Sequence, residues 1–243
     1  MKEGICVVPK EQLQSSEVNV DLRMIVCKDH SVLTLTKNDN LRTSFQIALN
    51  GLEQQILVGL PENRRARFFR DMVFLSNEGQ RERVDMGIKT IKDTGLEKKL
   101  QRDSLFDGAF DPSTIKDLLN SRVRPGEGGM LYPIYEEIIQ SSKESSALNG
   151  LRPKVLILLA DHAAKMDKNR AEDVREHLSS MGKNEPLVVV LYTVRAHGMS
   201  WDPNQGVDAH KTWGDISNRL VLIPVFNNPE RYMSGKGKTD ISK

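Results

Sequence analysis

Three short stretches carry the side chains best suited to chemistry: Asp29-His30-Ser31, Asp161-His162 and His197. A glycine-rich loop, Arg124-Pro125-Gly126-Glu127-Gly128-Gly129-Met130, falls between the first two. Two aspartates and a hydroxyl are hard oxygen donors, the ligands that Mg²⁺ or Mn²⁺ takes. The imidazoles of His30, His162 and His197, with those carboxylates, would suit Zn²⁺. Paired aspartates could also support metal-assisted hydrolysis. The bland reading of the same residues is that Asp29 and Asp161 cap turn amides and that Gly128 and Gly129 serve loop geometry.

Other chemistries find less support. No GxxxxGK[ST] loop is present, and the GKGK near the C-terminus lacks a strand–loop–helix setting. No GxSxG is present, and Cys27 lies within a strand, so no nucleophile stands out. Free amides where the glycine loop enters a helix could hold an anion, but Glu127 would repel it.

These residues need a scaffold that brings them to one end. Val155–Leu159 is an unbroken apolar run, too short for a helix, and reads as a central strand buried on both faces. Asp21–Cys27 is a second strand and Leu187–Val194 a third. Leu220–Phe226 is a fourth, with Pro224 favouring an edge. Arg67–Ser76 reads as a strand, Asn77-Glu78-Gly79 as a turn and Arg81–Ile91 as its antiparallel partner. Arg64, Arg65, Arg67 and Arg70 make a basic cluster, read as a solvated strand edge ahead of a binding patch.

Leu41, Phe45, Leu49, Leu52 and Ile56 recur at helical spacing, with Gly59 and Pro61 closing the helix. Leu131, Tyr135 and Ile138 or Ile139 mark another helix. Ala171, Val174, Leu178 and Met181 mark a third, capped by Asp167 and ended by Gly182. A short helix is expected at Thr114–Leu119. Strands alternating with helices predict an α/β fold: a doubly wound, mainly parallel sheet with an antiparallel edge strand and helices on both faces. The expected division is a leader over 1–19, a domain over 20–226 with insertions near 92–111 and 200–217, the latter a loop with a short helix, and a mobile tail over 227–243.

Composition narrows the partners. The chain has 243 residues, 38% hydrophobic and 5% aromatic, with a formal charge of +2. That balance gives no argument for nucleic acid or a membrane surface. Two cysteines, Cys6 and Cys27, make no disulfide framework and point to a reducing compartment. No stretch approaches the roughly 20 apolar residues of a membrane span, so a cytoplasmic protein is expected.

The order Asp29-His30-Ser31-Val32-Leu33, Gly128-Gly129-Met130, Ala160-Asp161-His162 resembles a von Willebrand factor type A domain over roughly residues 20–226. In that family the first strand ends in Asp-x-Ser-x-Ser. A Gly-Gly-Thr loop starts a later helix, and a following strand ends in Thr-Asp-Gly. Together these form a metal-ion-dependent adhesion site at the sheet's topological switch. The resemblance implies Asp29, Ser31 and Asp161 as ligands of Mg²⁺ or Mn²⁺. Leu33 stands where the second serine belongs and Met130 where the threonine belongs, and neither offers a hard oxygen. The site is therefore degenerate. The expected function is a protein–protein interaction module, an adaptor or subunit of a larger assembly. Its partner surface would be Asp29, His30, Ser31, Leu33, Gly128, Gly129, Met130, Asp161 and His162. An AAA-type ATPase is the partner class that the resemblance implies. A metal-dependent binder is the alternative reading, and a hydrolase using the paired aspartates the third.

Overall fold

The computed structural model describes residues 4–8, 14, 16–27, 39–60, 64–75, 80–91, 105–107, 132–144, 152–161, 168–194, 196–197, 200–201 and 203–226. The expected turn at 77–79, helix at 114–119, cap at Asp167 and tail at 227–243 lie outside these residues.

The unbroken apolar runs became the middle of a six-stranded sheet. In chain order the strands are β1 (Glu17–Cys27), β2 (Arg65–Leu75), β3 (Arg81–Ile91), β4 (Lys154–Asp161), β5 (Leu187–Val194) and, after a two-stranded ribbon, β8 (Leu220–Phe226). Their spatial order is β3-β2-β1-β4-β5-β8. All neighbours are parallel except β2 and β3, which pair antiparallel. The doubly wound α/β fold expected from the strand–helix alternation is present.

Side-chain alternation assigns the two faces. Val20, Leu22, Met24, Val155, Ile157, Leu159, Val189 and Leu191 form one core with Phe45, Leu49, Leu52 and Ile56 of α1 (Asp39–Gly59). The opposite core contains Ile25, Leu156, Leu158, Val188 and Val190. It is covered by α2 (Tyr132–Lys143), α3 (Lys168–Ser180) and α4 (Pro203–Trp213). Tyr135 and Ile138 of α2, Val174 and Leu178 of α3 and Trp213 of α4 are buried there, so the helical spacing read from the sequence marks the packed faces. Gly182 follows α3 with φ +56°, the left-handed backbone that glycine supplies at a helix end.

Three sequence readings change. β1 begins at Glu17, inside the stretch expected as a polar leader. Val7 and Val8 are buried in the α1-side core, so this part of the leader packs as core. The arginine-rich strand β2 is interior to the sheet; β3 and β8 are the edges. The segment 200–217, expected as a loop with a short helix, contains an 11-residue helix, α4, preceded by strand β7 (Ser200–Trp201), which pairs with β6 (Ala196–His197). Pro224 does sit in an edge strand, as expected. No helix among the described residues is long and apolar enough to cross a membrane.

Candidate functional site

The sheet order reverses direction at β1. The chain moves outward from β1 to β2 and β3, then returns to place β4 on the other side of β1. The carboxyl ends of β1 and β4 therefore flank the topological switch, where α/β sheets collect ligands. The two strands pair in register from Asp21↔Lys154 to Val26↔Leu159, so Cys27 and Asp161 end them at the same edge of the sheet. Asp161 is the last residue of β4 and pairs with Thr193 on β5. The sequence places Asp29 two residues after the end of β1. β6 and β7 follow β5 directly and carry His197 opposite Ser200.

Of the predicted site residues, the structure places the backbones of Asp161, at the end of β4, and His197, in β6. Asp29, His30, Ser31, Leu33, Gly128, Gly129, Met130 and His162 lie outside the described residues. Among the described residues no group of three or more histidine, cysteine, aspartate and glutamate side chains could hold a metal ion.

A second polar centre lies on the α2 face, over the middle of β1 and β2 and the start of β4. Arg23 projects from β1 beside Asp71 of β2. Its Nε and Nη2 donate to Asp71 Oδ1 and Oδ2, each at 2.7 Å. Its Nη1 donates to Glu144 Oε2 at 2.6 Å and Ser141 Oγ at 3.0 Å. Arg81 of β3 donates from Nε to Glu137 Oε2 at 2.6 Å and from Nη2 to Glu144. Ser141 Oγ donates to Glu137 Oε1 at 2.6 Å, and Arg83 Nη2 lies 2.6 Å from Asp71 Oδ2. Three arginines thus meet three carboxylates, joining β1, β2, β3 and the end of α2.

The electrostatics follow from this pairing. Burial works against the charge on Arg23, but Asp71 and then Glu144 outweigh it and raise its pKa. Burial would raise the Glu144 carboxyl, but the Arg23 hydrogen bond and the charges of Arg23 and Arg81 bring it down to about 2. Lys154, the first residue of β4, donates from Nζ to the α2 carbonyls of Ser141 at 2.8 Å and Ser142 at 3.1 Å. These are orphan acceptors at a helix end, where a cation also meets the negative end of the helix dipole. Burial lowers the Lys154 ammonium to about 8; Asp21 opposes that fall and Arg23 adds to it.

A cavity of about 410 Å³ opens beside this network, with Phe69 and Leu156 among its apolar walls and Lys154, Arg83 and Asp85 among its polar ones. Arg152 stacks over the Phe69 ring, 3.7 Å from guanidinium carbon to centroid. Three arginines of the basic cluster, Arg65, Arg67 and Arg70, are engaged too. Arg70 donates to the backbone carbonyls of Met86 at 2.8 Å and Leu105 at 3.0 Å, while Arg65 and Arg67 lie 3.7 and 3.6 Å from Glu17.

Sequence reasoning missed this centre. Its signal is weak: Asp21 and Arg23 alternate with apolar residues, which reads as a solvent-facing side of a strand.

No protein-family model matches the chain, and no curated protein matches it.

Proposed function

We propose that the chain is a von Willebrand A-like protein-interaction module, an adaptor or subunit that receives a partner protein at the carboxyl-end crevice between β1 and β4. One observation carries the reading: the sheet has its topological switch between the two strands whose ends bear Asp161 and lead into Asp29-His30-Ser31. Leu33 and Met130, where that family has oxygen ligands, favour an apolar contact over a metal-bridged carboxylate. An AAA-type ATPase is the partner class that the resemblance suggests.

Met130→Asp and Leu33→Asp should each abolish capture of the protein that co-purifies with wild type, with circular dichroism and thermal midpoint unchanged. Unchanged capture by both variants would sink the reading. Calorimetric titration of metal-stripped protein with Mg²⁺, Mn²⁺ and Zn²⁺ separates the alternative. The interaction module gives no heat. Heat from Mg²⁺ or Mn²⁺ that disappears in Asp161→Ala would instead establish a metal-bridged binder.

A further inference from the structure

The crevice reading leaves the Lys154 amine and its cavity without a role. Lys154 sits where three conditions for a reactive amine meet. It is partly withdrawn from water, it has a second cation close by in Arg23, and it faces a cavity large enough for a small molecule. We propose that Lys154 is a carbonyl-capturing amine, and that the cavity beside it admits a small uncharged aldehyde or ketone that the amine binds as an imine.

The hydrogen bonds of Nζ favour this use. Two of its N–H groups are directed to the Ser141 and Ser142 carbonyls. Loss of the third proton leaves a neutral amine that keeps both bonds and carries a lone pair at the vacated position. Attack forms the N–C bond, and a proton passes from nitrogen to the carbonyl oxygen to give a carbinolamine. A proton from solvent, replacing the one the ammonium released, then joins the hydroxyl, and the C–O bond breaks with loss of water. The iminium that results has the same charge as the starting ammonium and keeps one N–H for the helix carbonyls. No oxidant or reductant enters.

The charge around the cavity selects an uncharged ligand. Asp71 is held by Arg23 and Arg83, Glu144 by Arg23 and Arg81, and Asp21 by Arg152. Asp85 Oδ1 accepts the Gly87 N–H. With Lys154 as the neutral amine, the described lining carries three cations and four carboxylates, and Arg81 and Arg152 beside it offset the difference, so a charged ligand gains no net attraction.

The groups that set the amine's ionisation are Asp21 and Arg23 on β1, Asp71 on β2 and Glu144 after α2. With its ammonium brought to about 8, Lys154 should react at neutral pH ahead of ordinary lysines near 10.4.

The test uses the full chain with glyceraldehyde and sodium cyanoborohydride between pH 7 and 9.5, with adducts mapped by peptide mass spectrometry. Lys154 should label at least about tenfold faster at pH 7 than the exposed lysines, which serve as internal references. Its rate should saturate with aldehyde concentration and level off above pH 8, and the fast adduct should be absent in Lys154→Arg. Labelling no faster than exposed lysines, or a rate linear in aldehyde, overturns the proposal. The wild-type measurement alone decides this if the variant fails to fold. Neither outcome depends on the crevice between β1 and β4.

Discussion

Arg23 and Asp71 stand directly opposite each other on adjacent parallel strands, and two hydrogen bonds of 2.7 Å join the guanidinium fork to both carboxylate oxygens. The Arg23 side chain is only 9% exposed and that of Asp71 10%. Such a pair is stable only while each charge keeps its partners. Asp71→Leu leaves two guanidinium nitrogens of Arg23 unpaired in the interior and should cost about 3 kcal/mol in urea unfolding. Arg23→Met should cost less than half as much, because Asp71 retains Arg83 and Glu144 retains Arg81. Equal losses would mean that the pairing across β2 and β3 contributes nothing.

Acid should weaken the same network. Glu144 has its carboxyl lowered from 4.5 to about 2 in the fold. Its contribution is therefore complete above the unfolded value and lost as pH falls from about 4.5 towards 2. The urea midpoint of wild type should fall through this window. In Glu144→Gln the fall should be shallower, and parallel curves would contradict the assignment.

Lys154 has the same pH slope in a second, alkaline window, as a burial penalty relieved when the ammonium is lost. Its ammonium is lowered from 10.5 to about 8, so the unfolded chain binds more protons between those values. The Lys154 contribution to stability should therefore rise with pH from about 8 to 10.5. The difference in unfolding free energy between wild type and Lys154→Met isolates this term. A difference that does not vary with pH would count against the lowered amine.

Gly59 ends α1 against the N-terminal segment. A methyl group there would run into the Ile5 carbonyl, and a methyl on Gly4 would meet the Gly59 backbone. Ile5 N–H donates to the Gln55 carbonyl at 3.0 Å, and Arg219 Nη2 donates to the Cys6 carbonyl at 2.8 Å. Gly59→Ala should push this segment off and destabilise by roughly 2 kcal/mol, the cost of an overpacked contact. Faster proteolysis before residue 16 should accompany the loss.

Much of the scaffold was legible because its signals are local. Val155–Leu159 and Leu187–Val194 are apolar without interruption, as strands buried on both faces must be. Phe45, Leu49, Leu52 and Ile56 keep helical spacing, and Gly182 marks a helix end. The boundaries at Glu17 and the role of Val7 and Val8 were hidden, since four apolar residues do not reveal what they pack on. The ion network was hidden for a related reason. Arg23 meets Asp71 across 48 positions and Glu144 across 121, and only the completed sheet and α2 bring them together. Asp161 was legible as a strand end, because the apolar run stops there.

The edge strand β3 has a consequence for how this chain meets others. A register shift opposite Arg70 and Asp71, with Gly87 at φ +73°, bends its ladder. Arg81, Glu82, Arg83, Asp85 and Lys89 place charges along its length. Kinked and charged, that margin is a poor template for an added strand, even though Ile88 is 51% exposed. The molecule is thereby guarded against lateral stacking into fibrils at this border. Bait designed as a flat, extended peptide to lengthen the sheet at β3 would find no purchase there.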